Sequence, residues 1–322
     1  MTALLEIENL KVHFPVRTGR FGGDKAVVKA VDGVSLTLAA RETLALVGES
    51  GCGKSTTGNA VLGLAPVTSG RIRFDGRDLS TLDAEGRKGV WRDMQVVFQD
   101  PVSALNPRRS IAQSIAEPLE IHGTPRGQIR PRVDELMDLV GLNPDQRDRR
   151  PGALSGGQRQ RVVIARALAL NPRLVICDEP VSALDVSIQS QILNLLMRLQ
   201  SELSLSYLFI SHDLSVVRHI ADRVAVMYLG TVVEIGPAAE VFGNPVHPYT
   251  EALLSAIPRP EPGARRDRIL LQGDLPSPIS PPSGCPFRTR CPIAEPGCAE
   301  VRPDLAPGMG KHQVACLRRS LG

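Results

Sequence analysis

Gly48-Glu49-Ser50-Gly51-Cys52-Gly53-Lys54-Ser55 fits the pattern G-x-x-x-x-G-K-[ST] at every fixed position. These residue types suit one task, the holding of phosphate. Glycines let successive backbone N–H groups turn inward on an anion. A helix beginning here adds its positive dipole end. Lys54 sets a cation against the outer phosphates. The hydroxyl of Ser55, with Thr56 behind it, offers a hard oxygen to Mg²⁺. Cys52 fills a free position of the pattern as a small residue, and a thiol exposed at a helix N-terminus would be open to oxidation.

A second group lies in LVICDEP, Leu174 to Pro180, an apolar run ending in two carboxylates. Strand ends of an open α/β sheet are where ligands sit. Asp178 would hold Mg²⁺ through water, and Glu179 would orient an attacking water. Such a pair can also simply cap the next helix, but it follows a phosphate loop in this chain. Cys177 reads as a core thiol. In LSGGQRQR, Ser155, Gly156, Gly157 and Gln158 open an Ala-rich helix and form a second anion-binding turn, with Ser155 as the cap. Asp185 ends the run SALD just after the carboxylates. His212, in ISHD, ends the next apolar run within reach of a terminal phosphate. Two phosphate-grade turns so far apart imply that two chains share each nucleotide.

These residues need strands and helices to carry them. Leu44 to Val47 is a strand into the phosphate loop, and Thr56 to Leu64 reads as the helix out of it. Leu5 to Phe14 and Val31 to Leu46 carry strand signal, the latter broken by a turn at Asp32-Gly33. VRTGRFGGDK, with Arg17, Arg20 and Lys25, reads as a hairpin loop with a solvated basic face. Ile72 to Phe74 and Met94 to Phe98 are short strands. From about Pro101 to Leu170 the pattern is helical, with Val133, Leu136, Met137 and Val140 at i, i+3, i+4, i+7 and a stop at Gly141. Leu174 to Cys177 and Tyr207 to Ile210 are all-apolar strands of a parallel sheet, with a helix at Ile188 to Leu199 between them. After about residue 240 the composition changes to Pro-rich and Cys-rich.

The 322 residues suggest about two domains. The chain is 42% hydrophobic and 22% charged, ordinary for a globular protein that buries a core. A net charge of +4, three Tyr and one Trp argue against a nucleic-acid partner. No apolar run reaches the ~18 residues of a membrane helix. Glu6 and Glu8 interrupt what a signal peptide would keep apolar, so a cytoplasmic place is expected. Thiols there stay reduced.

Together these motifs resemble the ATP-binding subunits of ABC transporters over nearly the whole chain. MQVVFQDPVSALNPR, NPVHPYTEALLSAIP, LPSPISPPSGCPFRTRCP and the run AEPL look like the oligopeptide and dipeptide importers, and like the second of their two ATPases. The resemblance implies an α/β fold: a P-loop NTPase (RecA-like) core with an antiparallel β-subdomain, an inserted helical subdomain at about 101–170, and a small Cys-rich C-terminal extension. The cassette would span 1–240 and the extension 241–322. It places Lys54 and Ser55 in Walker A, Asp178 and Glu179 in Walker B, and Ser155 to Gln158 in the signature. Gln99 becomes the Q-loop glutamine at Mg²⁺, Asp185 the D-loop aspartate, His212 the switch histidine and Phe14 the aromatic on adenine. Gly152-Ala153-Leu154 departs from the His-Glu-Phe usual in close relatives, which leaves details of permease coupling open. The implied activity is ATP-driven peptide import, peripheral to the cytoplasmic face of the inner membrane. The implied partners are a paralogous second ATPase, two permease subunits and, indirectly, an extracytoplasmic binding protein. Nickel, glutathione or antimicrobial-peptide cargo uses similar ATPases. A soluble ABC ATPase is the other class, but it would carry tandem cassettes or a coiled coil, which this chain lacks.

The extension holds Cys285, Cys291, Cys298 and Cys316 in the spacing C-x5-C-x6-C-x17-C. Four thiols can serve a metal centre, a redox switch or nothing. There is no tight C-x2-C knuckle of structural zinc, and four Cys is the usual set for a [4Fe–4S] cluster; spacing alone leaves the two metals even. The resemblance favours [4Fe–4S], because some peptide-importer ATPases carry it here, with zinc as the alternative. Its expected role is to fold a tail too poor in core to fold alone. His122, His219, His247 and His312 show no paired ligand spacing and read as surface or packing residues.

Overall fold

Leu5, Ile7, Leu10 and Val12 are all buried along strand β1 (Leu5–Arg17); alternation places each pair on one face, and an irregularity in the pairing between Ile7 and Leu10 changes the parity from one pair to the next. The computed structural model describes residues 3–17, 25–257, 269–307 and 312–319. The chain forms two units: one of Met1–Leu38, Thr43–Ser80 and Ile210–Gly322, the other of Ala39–Glu42 and Thr81–Phe209.

In the first unit β1 pairs with β2 (Lys25–Leu38), and their ends meet at Arg17 opposite Lys25. The expected loop residues 18–24, Arg20 among them, lie outside the described residues, as do the side chains of Arg17 and Lys25. The turn expected at Asp32-Gly33 is instead a bulge. Lys11 pairs with Asp32 and Leu10 with Val34, so β2 runs on through it. Strand β3 (Thr43–Val47) is buried at all five positions and leads into helix α1 (Lys54–Val61). Strands β4 (Ser69–Phe74) and β5 (Arg77–Asp78) complete the antiparallel order β2-β1-β4-β5.

The second unit begins with α2 (Ala84–Asp93) and β6 (Met94–Val97). Helices α3 (Ile111–Ile121), α4 (Arg126–Leu139) and α5 (Gly156–Ala167) follow, then β7 (Leu174–Asp178) and α6 (Val186–Leu203). Strand β7 lies parallel to β6, with Val97 opposite Cys177. Val133, Leu136 and Met137 are buried on α4, the face that their spacing predicts.

Strand β8 (Ser206–Ser211), buried throughout, returns the chain to the first unit. There α7 (Leu214–Ile220), β9 (Arg223–Tyr228), β10 (Thr231–Pro237), α8 (Ala238–Gly243), α9 (Pro248–Ser255), β11 (Ala306–Pro307) and β12 (Gln313–Val314) follow. Strand β9 runs parallel to β3, while β10, β12 and β11 add antiparallel beyond it. The whole is a mixed α/β fold with a separate antiparallel sheet and inserted helices, as the motifs imply.

The tail corrects one expectation. Neither a [4Fe–4S] cluster nor zinc is supported on Cys285, Cys291, Cys298 and Cys316. Among the described residues no group of three or more His, Cys, Asp or Glu side chains is placed to hold a metal ion, and all four are free thiols. Burial, reinforced by the neighbouring tail thiols, pushes the Cys285 and Cys291 thiols up. The tail is organised by packing and backbone bonds instead. Phe287 sits 5.2 Å from the Tyr228 ring and 5.4 Å from Tyr249. Cys285 N–H donates to the Cys298 carbonyl at 2.8 Å. Fully buried Glu234, on β10, accepts from the N–H groups of Val246 (2.8 Å) and His247 (3.0 Å), and His312 Nε2 lies 2.8 Å from it. Spacing along the chain reveals neither these contacts nor the distance between thiols.

His247 caps α9 by accepting from Tyr249 N–H at its Nδ1, 3.1 Å away. Burial lowers its pKa to about 4, against the opposing pull of Glu234 and aided by Arg319. The unfolded chain therefore binds more protons than the folded one between about pH 6.5 and 4. The stability His247 contributes is full above pH 6.5 and is lost as pH falls through that window, about 3 kcal/mol in all. Denaturant midpoints at pH 7 and pH 5 should show about 2 kcal/mol of this loss in the parent and a smaller one in His247→Asn, which keeps a capping oxygen. Equal slopes would remove His247 as the cause.

Candidate nucleotide-binding site

The loop between β3 and α1 is shaped by its glycines. Gly48 has φ +148°, and a Cβ there would lie 2.2 Å from the Met227 carbonyl oxygen. Gly53 has φ +105°, and a Cβ there would lie 2.2 Å from that of Ala30. Only glycine allows both the turn and the close approach. The Cys52 carbonyl accepts from Gly230 N–H at 2.9 Å, tying the loop to the β9–β10 turn. Cys52 itself is buried, and burial pushes its thiol up, so the oxidisable, exposed thiol is not what the fold makes.

Lys54 is only 4% exposed. Its Nζ donates to the carbonyls of Gly48 (2.8 Å) and Glu49 (2.9 Å), a position curled over the loop. Ser55 is exposed beside it at the helix start, with Thr56 next in the helix. Ser50 and Gly51 complete the loop, Ser50 at the surface. Phe14 is half-buried opposite Val28, a short way along the β1–β2 ladder from Ala30, where β2 touches the loop. His212 is exposed after β8, in a turn where Ser211 Oγ accepts from Asp213 N–H at 3.0 Å and Asp213 caps α7.

In the second unit the parallel register sets Gln99 beside Glu179. Val97 pairs with Cys177, and two residues further along each strand Gln99 Nε2 donates to Glu179 Oε2 at 2.8 Å. Glu179 follows Asp178 in the left-handed region, φ +48°. A non-glycine residue there is uncommon, and such strain gathers at functional sites. Both carboxylates are half-buried. Cys177 before them is fully buried, and its thiol is pushed well up by burial.

Ser155 caps α5 in a capping box with Gln158: Ser155 Oγ accepts from Gln158 N–H at 3.3 Å, and Gln158 Oε1 accepts from Ser155 N–H at 3.0 Å. Ser155 and Gly156 are exposed. A Cβ at Gly157 would lie 2.7 Å from Ile188 Cγ2, so this turn packs on the first turn of α6. Asp185, exposed, sits at the N-cap of that same helix. The unit thus groups Gln99 with Glu179 and the Ser155 turn with the Asp185 loop. Tyr249 and Arg290 both touch Glu49 and are missed as site residues by sequence reasoning: they lie in the runs HPYT and FRTRC of the extension, and nothing in those runs points to the phosphate loop.

Residues 31–182 match the ABC transporter family, and residues 233–298 match the C-terminal region of oligopeptide/dipeptide transporters. The chain is 54% identical to the oligopeptide transport ATP-binding protein OppF of Salmonella typhimurium, over 98% of this chain and 96% of that one. It is 53% identical to AppF of Bacillus subtilis, over 97% and 96%. It is 51% identical to the dipeptide transport protein DppF of Escherichia coli, over 98% and 94%. Among solved structures, CbiO1 of Clostridium perfringens, part of the ABC transporter complex CbiONQ, superposes with a TM-score of 0.65 at 30% identity, covering 76% of this chain and 92% of that one. With more than half its residues shared with such relatives along nearly its full length, the chain belongs to the family of ATP-binding subunits of ABC-type oligopeptide and dipeptide transporters.

Proposed function

We propose that this chain binds and hydrolyses ATP to power peptide import through a membrane permease. The observation that carries the ATP half is the glycine-shaped loop with buried Lys54 on the Gly48 and Glu49 carbonyls. Phosphate oxygens would replace those carbonyls as acceptors, at little cost in rearrangement. The C-terminal region, shared with oligopeptide/dipeptide transporters, favours peptide as the cargo. We read 1–240 as the cassette, with a helical subdomain at about 101–170, and 241–322 as the extension.

In this reading Gly48 to Thr56 hold the triphosphate and Phe14 stacks on adenine. Ser55, Gln99 and Asp178 are hard oxygen donors suited to Mg²⁺, which when bound would neutralise charge on the outer phosphates. Glu179, steadied by Gln99, orients the attacking water, and His212 stabilises the leaving charge. Ser155 to Gln158 and Asp185 serve the nucleotide of a second chain, because the exposed turn is free to meet one. That second chain is a paralogous ATPase. Two permease subunits and an extracytoplasmic peptide-binding protein complete the machine at the cytoplasmic face of the membrane. No helix among the described residues is long and apolar enough to cross a membrane, so attachment falls to the permease.

Cells whose only copy carries Lys54→Ala should take up labelled oligopeptide at background rate, while the protein accumulates normally. Removing a charge-assisted contact to two phosphates should weaken ATP binding by about 100-fold. Normal peptide uptake with lost nickel or glutathione uptake would overturn the cargo. Undiminished uptake of all of them would overturn the ATPase role.

A further inference from the structure

Glu49 occupies a free position of the phosphate loop, yet every polar group it owns is engaged. Its N–H donates to the Tyr249 hydroxyl at 2.9 Å. Its carbonyl accepts from Lys54 Nζ at 2.9 Å. Its carboxylate takes both arms of the Arg290 guanidinium, at 2.8 and 3.1 Å. Arg290 lies 241 residues further along the chain, in the segment between Cys285 and Cys291, and its side chain is only 9% exposed. The guanidinium faces the Tyr228 ring, 6.0 Å from its centroid. Tyr228 in turn packs edge to face on Tyr249 and Phe287, so the guanidinium rests against a packed aromatic cluster. Tyr249 is fully buried at the start of α9.

Two physical consequences follow. A loop residue held at backbone and side chain loses its freedom before ligand arrives, so binding does not have to remove it. A carboxylate within the phosphate loop would also repel a polyphosphate. A bidentate, buried arginine cancels that charge in a geometry that lysine cannot copy.

We propose that the C-terminal tail is a positioning element of the phosphate loop: Tyr249 and Arg290 hold and neutralise Glu49, so that the loop is preorganised for a nucleoside triphosphate. The proposal rests on the ATP-binding reading above. Arg290 and Tyr249 are positioning residues, acting through Glu49, and touch no nucleotide themselves. A tail that detaches from the loop therefore weakens nucleotide binding at a site it does not line.

The test uses the full-length chain and a fluorescent ATP analogue, with Mg²⁺, titrated to saturation. Arg290→Gln should raise the dissociation constant by about tenfold, and Arg290→Lys by less, since charge returns without the fork. Tyr249→Phe, which removes one hydroxyl, should raise it by about threefold to tenfold. In the Glu49→Gln background the Arg290→Gln effect should shrink to about twofold, because the charge it neutralises is gone. A role confined to tail stability would give the same effect in both backgrounds. Equal effects, or affinities unchanged in Arg290→Gln and Tyr249→Phe, overturn the proposal. If Arg290→Gln does not fold, Tyr249→Phe and Arg290→Lys decide it. Failure of the parent chain to bind the analogue overturns the ATP-binding reading itself, a different outcome from a parent that binds and variants that match it.

Discussion

A Glu179→Gln chain binds ATP as the parent does but turns it over about 10³-fold more slowly. The substitution is nearly isosteric, and the amide can still meet Gln99. In the proposed role, what it removes is the carboxylate that accepts a proton from, and orients, the attacking water. Glu179 sits where β7 ends, in the left-handed region at φ +48°, and Gln99 Nε2 holds one carboxylate oxygen at 2.8 Å. A side chain fixed at both backbone and tip is already aimed, and such preorganisation is where the rate of phosphoryl transfer comes from. Single-turnover hydrolysis with the assembled complex, beside analogue binding to the same variant, separates the two steps. Equal loss of binding and turnover would make Glu179 a structural residue. Undiminished turnover would remove it from the chemistry.

Glu234→Ala is the largest stability loss expected outside the nucleotide site, about 4 kcal/mol. The carboxylate is wholly buried and receives the N–H groups of Val246 and His247, with His312 Nε2 2.8 Å away. Truncation leaves two buried backbone donors and an imidazole without their acceptor, each costing about 1–3 kcal/mol. Val246 and His247 lead into α9, which carries Tyr249, and His312 precedes β12, so one side chain joins two parts of the tail to β10. Denaturant unfolding should show an earlier midpoint, and limited proteolysis should cut the tail first. A midpoint within about 1 kcal/mol of the parent would mean that water replaces the carboxylate at little cost.

The readings that came from the chain alone share one property: the residues that matter are neighbours in sequence. The phosphate loop is eight consecutive residues, and its glycine positions follow from the φ angles such a turn needs. Ser155 and Gln158 form a capping box within one helical turn. The all-apolar runs at Leu174 and Tyr207 become the buried strands β7 and β8, because only a strand covered on both faces can afford no polar residue. Even the peptide-transporter class was legible, through the runs around Gln99 and in the extension.

What the tertiary structure decided lies between distant segments. Gln99 and Glu179 are 80 residues apart and meet because β6 and β7 are parallel and in one register. Asp32-Gly33 has turn composition, yet pairing with Leu10 and Lys11 carries β2 through it as a bulge. The four late cysteines have the numbers for a metal site, but ligation depends on where the thiols point in space, and they form none. The tail folds instead on Phe287 and Glu234, and it reaches the phosphate loop through Arg290. Spacing encodes contacts that the local backbone makes; register and packing make the rest, and these exist only once the chain has folded.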